Sequence, residues 1–163
     1  MANSDFYLKI EGIKGESEAV GFEEQMQIES WSMGANNAGS AGLGTGLGSG
    51  KVSMQDFHFV IQNGKASAQL MLAVCKGNHI SEAILSCRKT GGDGTPYTYY
   101  KYTFNDLVIS SFQSGASSAL PMEQCAFNYT KITLEYFQQK ADGTVALSNT
   151  ISYDTKKVEG TGA

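Results

Sequence analysis

The side chains able to do chemistry are few and scattered. Histidine occurs twice, at His58 and His79, and cysteine three times, at Cys75, Cys87 and Cys125. No C-x-x-C pair exists, so a zinc centre would have to gather its ligands from unrelated points of the chain. An odd, widely spaced cysteine set also fits no disulfide framework, and three reduced thiols acting as small hydrophobes are expected. Cys75 and His79 stand at the i, i+4 spacing of a thiol–imidazole pair, but Gly77 between them ends the helical pattern and separates them. His79 then suits the C-terminal end of the helix dipole. His58 lies in Asp56-Phe57-His58-Phe59 on the parity opposite to the phenylalanines, which places it on a wall or an interface. No G-x-S-x-G elbow surrounds a serine. Asp56, Asp106 and Glu123 are the central acids, and nothing in their spacing selects two of them as a glycosidase pair.

The glycine-rich stretch before Lys51 invites a phosphate-binding reading, and two tests reject it. A Walker A loop needs glycine five positions before Gly50-Lys51 and Ser or Thr after the lysine; Thr45 and Val52 stand there. A dinucleotide fingerprint fails as well: from Gly44-x-Gly46 the third glycine is Ser49, and from Gly46-x-Gly48 it is Lys51. A strand rather than a helix N-terminus follows the loop, which removes the usual phosphate cradle. The formal charge is −4, and no run of Lys or Arg exceeds two, so nucleic acid is not an expected partner. No window approaches the length of a membrane span, so membrane insertion is not expected. The start Met1-Ala2-Asn3-Ser4-Asp5 lacks the basic residues of a signal peptide. Synthesis in the cytoplasm is expected, with any export by a route that needs no cleavable signal. No cofactor and no metal is expected.

The elements that must position these residues read as β structure. At 163 residues with 19 glycines and 2 prolines, the chain fits one domain, 1–163, with glycine-built loops. Strands are expected at about 5–10 and 24–33, then over 51–62, 80–89, 97–114, 123–139 and 145–153. Several switch their buried parity midway: Met26 and Ile28 against Trp31 and Met33, Val52 and Met54 against Phe57 and Phe59, Phe104 against Leu107, and Tyr129 against Ile132. Period-two strands that change face suit two curved sheets sharing strands, as in a small barrel or an orthogonal sandwich. One short helix is expected at 67–76, with Ser67 as N-cap and Gly77 as stop. The long loop, about 34–50, carries only Leu43 and Leu47 as large aliphatics. Ordering it costs roughly 1–2 kcal/mol per residue, against roughly 1.5–3 kcal/mol for burying each leucine. A partner is therefore expected to complete it. If Trp31 points into the core, Ser32 points out to a wall.

Particular strings stand in order along the chain. They are Ile13-Lys14-Gly15-Glu16-Ser17, Ser30-Trp31-Ser32, Gly50-Lys51-Val52, Lys65-Ala66-Ser67, Cys75-Lys76-Gly77-Asn78-His79-Ile80, Arg88-Lys89-Thr90-Gly91-Gly92 and Gln138-Gln139-Lys140-Ala141-Asp142-Gly143. Together they resemble the haemolysin-coregulated protein family, the tube subunits of type VI secretion systems, across nearly the whole chain. The resemblance implies a mainly β fold, a small two-sheet β-barrel with one short α-helix and an extended loop. It implies a non-enzymatic subunit that forms homohexameric rings, stacked into the tube, with sheath and spike components as partners. It also implies that the loop, with Gly39, Leu43, Gly44, Leu47 and Gly48, reaches the neighbouring ring, and that small effector proteins travel in the lumen, where Ser32 is the candidate contact. Met33 and Ala68 depart from the aromatic and the proline often found at their positions, which bears on lumen chemistry rather than on fold. Three alternatives stand beside this reading: a free secreted ring acting mainly as an effector carrier, a phage-like tail tube subunit, and a small β-barrel hydrolase using an acid or His58.

Overall fold

The computed structural model describes residues 5–37 and 52–162. In chain order the elements are β1 (Asp5–Ile10), β2 (Met26–Ile28), β3 (Ser30–Ser32), β4 (Ala35–Asn37), β5 (Val52–Met54), β6 (Phe57–Gln62), α1 (Ser67–Lys76), β7 (Ile80–Thr90), β8 (Pro96–Gly115), β9 (Met122–Gln139), β10 (Val145–Asp154) and β11 (Glu159–Gly162). The sheet runs β11-β10-β9-β8-β7-β1-β2, with β6 paired to β9 and β3 paired to β6, all antiparallel; β4 and β5 form a separate two-stranded ribbon. One edge of β9 is thus divided, with residues 122–127 facing β6 and residues 131–139 facing β10.

Each expected change of parity is a break or a crease. β2 pairs β1 through Met26 and Ile28, whereas β3 pairs β6 through Trp31. Glu29 between them donates its N–H to the Val60 carbonyl at 2.8 Å. A pleated strand cannot turn even positions and then odd positions inward without leaving its ladder, so the segment exchanges partners there. The barrel is consequently joined at Glu29 by the chain itself, and the hydrogen-bonded path stays open between β2 and β6. A second switch crosses three strands in one row, Glu82 opposite Asn105 and Asn105 opposite Lys131. On one side of that row Ala83, Phe104 and Ile132 are buried, and on the other Ile80, Leu107 and Tyr129. Asp106, at φ 51, supplies the left-handed residue that turns β8 at this crease.

The core gathers around Phe57, whose ring centroid lies 5.0 Å from those of Phe104 and Phe127. Leu8, Leu85, Leu107 and Phe59 complete it with almost no exposure, each contributing roughly 1.5–3 kcal/mol by leaving water. The helix α1 covers one end through Leu70 and Ala73. Gly77 stops it in the left-handed conformation, returning its N–H to Ala73. The N-terminus differs from expectation. Ala66 is the cap position, and Ser67 is the first helical residue, its Oγ accepting from Gly64 N–H and donating to Glu123. Met71, Leu72 and Cys75 remain exposed. The four-residue β11 was not expected in a polar tail.

Candidate functional site: the polar wall around Ser32

Ser32 lies on β3 with its side chain exposed, as parity required, directly opposite His58 of β6. His58 stands opposite Ala126 of β9, and Ala126 opposite Ser111 of β8. The next row, Ser30, Val60, Gln124 and Gln113, continues the same face. Apart from His58, Val60 and Ala126, this wall carries hydroxyl and amide side chains, because its strands spend their other parity on Trp31, Phe57, Phe59 and Cys125 in the core. Ionisable groups on it are His58 and, at its margin, Asp56, whose carboxylate accepts a 2.7 Å hydrogen bond from Ser110. A surface of this kind meets a partner through hydrogen bonds rather than through a strong field.

The other residues singled out for chemistry are placed apart. His79 and Cys75 are both exposed, beyond and within the end of α1. Burial pushes the Cys87 thiol up to about 12, against a hydrogen bond from Trp31. Burial and then the neighbouring Glu123 charge push Cys125 up to about 12. Both are poor nucleophiles. Glu123 is 3% exposed and holds Ser67 of α1 at 2.8 Å, which makes it a fastener between β9 and the helix. Asp106 serves the crease. Among the described residues no group of three or more His, Cys, Asp or Glu could hold a metal ion. No helix there is long and apolar enough to cross a membrane.

β4 and β5 carry the chain out from the barrel, with Gln55 N–H bonded to the Gly34 carbonyl at the base of their ribbon. Gly39, Leu43, Gly44, Leu47 and Gly48 lie outside the described residues. Two features escaped the sequence reading. The first is the tie between the loop after β1 and the start of α1, where Glu16 accepts from Lys65 N–H at 3.0 Å and Gln69 accepts from Lys14 N–H at 3.2 Å; it explains why Lys14-Gly15-Glu16 and Lys65-Ala66-Ser67 belong together. The second is the wing formed by β10 and β11 beyond β9. Its residues are exposed or half-buried along both faces, its main neighbour is β9, and Tyr153 leans on the core. Ile151 is 52% exposed and Tyr136, on the adjoining strand, 40%.

The family model described as "Type VI secretion system effector, Hcp" matches residues 7–136. Protein hcp1 of Pseudomonas aeruginosa is 34% identical over 141 residues, covering 85% of this chain and 86% of that protein. Among solved structures, Hcp1 from Salmonella typhimurium superposes with a TM-score of 0.79 at 29% identity, covering 99% of this chain and 100% of the other. A structure described as a type six secretion system protein gives a TM-score of 0.89 over 98% of this chain and 100% of its own; at 24% identity it speaks for the fold.

Proposed function

The chain belongs to the Hcp family of type VI secretion system proteins, structural and secreted rather than enzymatic, and from that premise we propose that it is the subunit of hexameric rings that stack into the system's tube. The observation that carries the assembly is the wing. Two strands added to one edge of β9, exposed or half-buried on both faces and bearing Ile151 and Leu147 in the open beside Tyr136 of β9, are a poor end state for a single chain. A neighbouring copy that covers them removes the cost. Contact between unlike surfaces repeats head to tail and closes into a ring when the rotation permits, and stacking extends it. The loop with Gly39, Leu43, Gly44, Leu47 and Gly48 would make the ring-to-ring contact, and sheath and spike components would meet the finished tube.

The wall around Ser32 favours a second role, carriage of small effector proteins in the lumen. Ser30, Ser32, His58, Gln113 and Gln124 are exposed on it and it is nearly free of charge, as a surface that meets passing cargo through hydrogen bonds should be. Light scattering on the purified protein tests the first role: a particle of six times the 17.5 kDa subunit is expected, and a stable monomer at micromolar concentration contradicts it. The Ser32→Gln variant tests the second. It should still assemble while co-expressed effectors lose protection from proteolysis, and unchanged effector levels would remove Ser32 from the contact.

A further inference from the structure

Asparagine precedes glycine once in this chain, at Asn63-Gly64, in the connection from β6 to α1. Both residues are exposed and line a cleft of about 460 Å3 that runs between β2 and β6. Glycine has no Cβ to screen its own nitrogen, so a neighbouring carboxamide can reach it. Two related pairs, Asp93-Gly94 and Asp142-Gly143, lie in the turns after β7 and β9. There the glycine N–H donates to a main-chain carbonyl, that of Gly91 at 3.0 Å and that of Lys140 at 2.9 Å. At Gly64 the acceptor is a side chain. Its N–H donates to Ser67 Oγ at 2.9 Å, and that hydroxyl in turn donates to the buried Glu123 at 2.8 Å.

We propose that Asn63-Gly64 is a site of spontaneous deamidation, and that the Ser67 hydroxyl, oriented by Glu123, guards it. In the reaction the Gly64 nitrogen attacks Cγ of Asn63. The new C–N bond closes a succinimide ring, and the side-chain nitrogen leaves as ammonia, taking with it the proton given up by the Gly64 N–H. Water then opens the ring at either carbonyl. Opening at the side-chain carbonyl leaves aspartate, and opening at the main-chain carbonyl leaves isoaspartate. While the Gly64 N–H is bonded to Ser67 Oγ, its nitrogen is held from this attack, so the reaction waits for the start of α1 to open. Glu123 takes the Ser67 proton, which leaves the lone pairs of the hydroxyl for the Gly64 N–H. Isoaspartate adds a carbon to the main chain between two anchors, the Asn63 N–H on the Pro121 carbonyl and the Lys65 N–H on Glu16, each at 3.0 Å. The modification therefore acts on the mount of α1 and leaves the barrel core alone.

The test is to hold the purified protein in mildly alkaline buffer, digest samples at intervals and read each asparagine-bearing peptide by mass spectrometry. Deamidation shows as a small gain in peptide mass, and the aspartate and isoaspartate forms separate by chromatography. Asn63 should convert ahead of Asn105 and Asn128, which sit inside β8 and β9. Ser67→Ala should speed conversion at Asn63 alone by about threefold to tenfold, the factor that losing one ordinary hydrogen bond allows. Ser67→Thr, which keeps the hydroxyl, should age like wild type. Gly64→Ala should slow conversion by about tenfold or more, since its Cβ screens the nitrogen. That Cβ would meet Glu16 Oε2 at 3.5 Å, an ordinary contact, so the fold is kept. An Asn63 that stays intact while Asn105 or Asn128 converts would overturn the site. An unchanged rate in Ser67→Ala, or equal acceleration at all three asparagines, would overturn the guard.

Discussion

Glu123 shows how much a single side chain does in this molecule. It shares the inward parity of Cys125 and Phe127, and it is buried with its carboxylate accepting from Ser67 Oγ at the start of α1. Glu123→Ala would strand that hydroxyl beside a cavity and is expected to cost about 1–3 kcal/mol in urea denaturation, with Glu123→Gln, which can still accept, costing less. An alanine variant as stable as wild type would contradict the fastening role. Alternation alone pointed inward at position 123, so this role was within reach of the sequence. Its partner was not, because Ser67 reads as a cap for its own helix. The buried thiols set a pH limit. Cys87 and Cys125 ionise near 9 when unfolded and are pushed up to about 12 by burial in the fold. Because the folded values are the higher ones, their contribution to stability is complete below about pH 9 and declines as pH rises from there toward 12. Thermal melts should show a falling midpoint across that window, and a flat profile would argue that both thiols are open to solvent.

Among the elements, the loop between β1 and β2 is built tightly onto its neighbours. Gly15 N–H bonds the Glu24 carbonyl at 2.7 Å, and a Cβ on Gly15 would stand 2.4 Å from the Gln25 carbonyl oxygen. Backbone cannot yield as a side chain tip can, so Gly15→Ala should destabilise the fold by about 1–3 kcal/mol and loosen the tie to Lys65; an unshifted denaturation midpoint would refute the close approach. The strands were legible wherever period two held, and their breaks at Glu29, Gln55-Asp56 and Asn105-Asp106 were legible because a switch of parity is itself a chain pattern. β11 was not, since Glu159-Gly160-Thr161-Gly162 has no apolar side chain to mark a strand and gains its place from the edge of β10. Nor was the wing, because Ile151 and Tyr136 are the same residue types that fill the core, and only the folded chain shows that nothing covers them.

At the scale of the whole molecule, a barrel with a complete aromatic core carries an incomplete sheet beside it. The core explains why one chain folds, and the exposed wing leaves apolar surface that the proposed ring would cover. Family membership places the chain in type VI secretion, and the polar wall is the surface proposed to meet cargo. The most direct test is negative-stain electron microscopy of the purified protein at neutral pH. Uniform six-fold rings with a central hole, some stacked end to end, are predicted. Compact particles without a hole, at concentrations where relatives of this fold would be compared, would contradict the account at its centre.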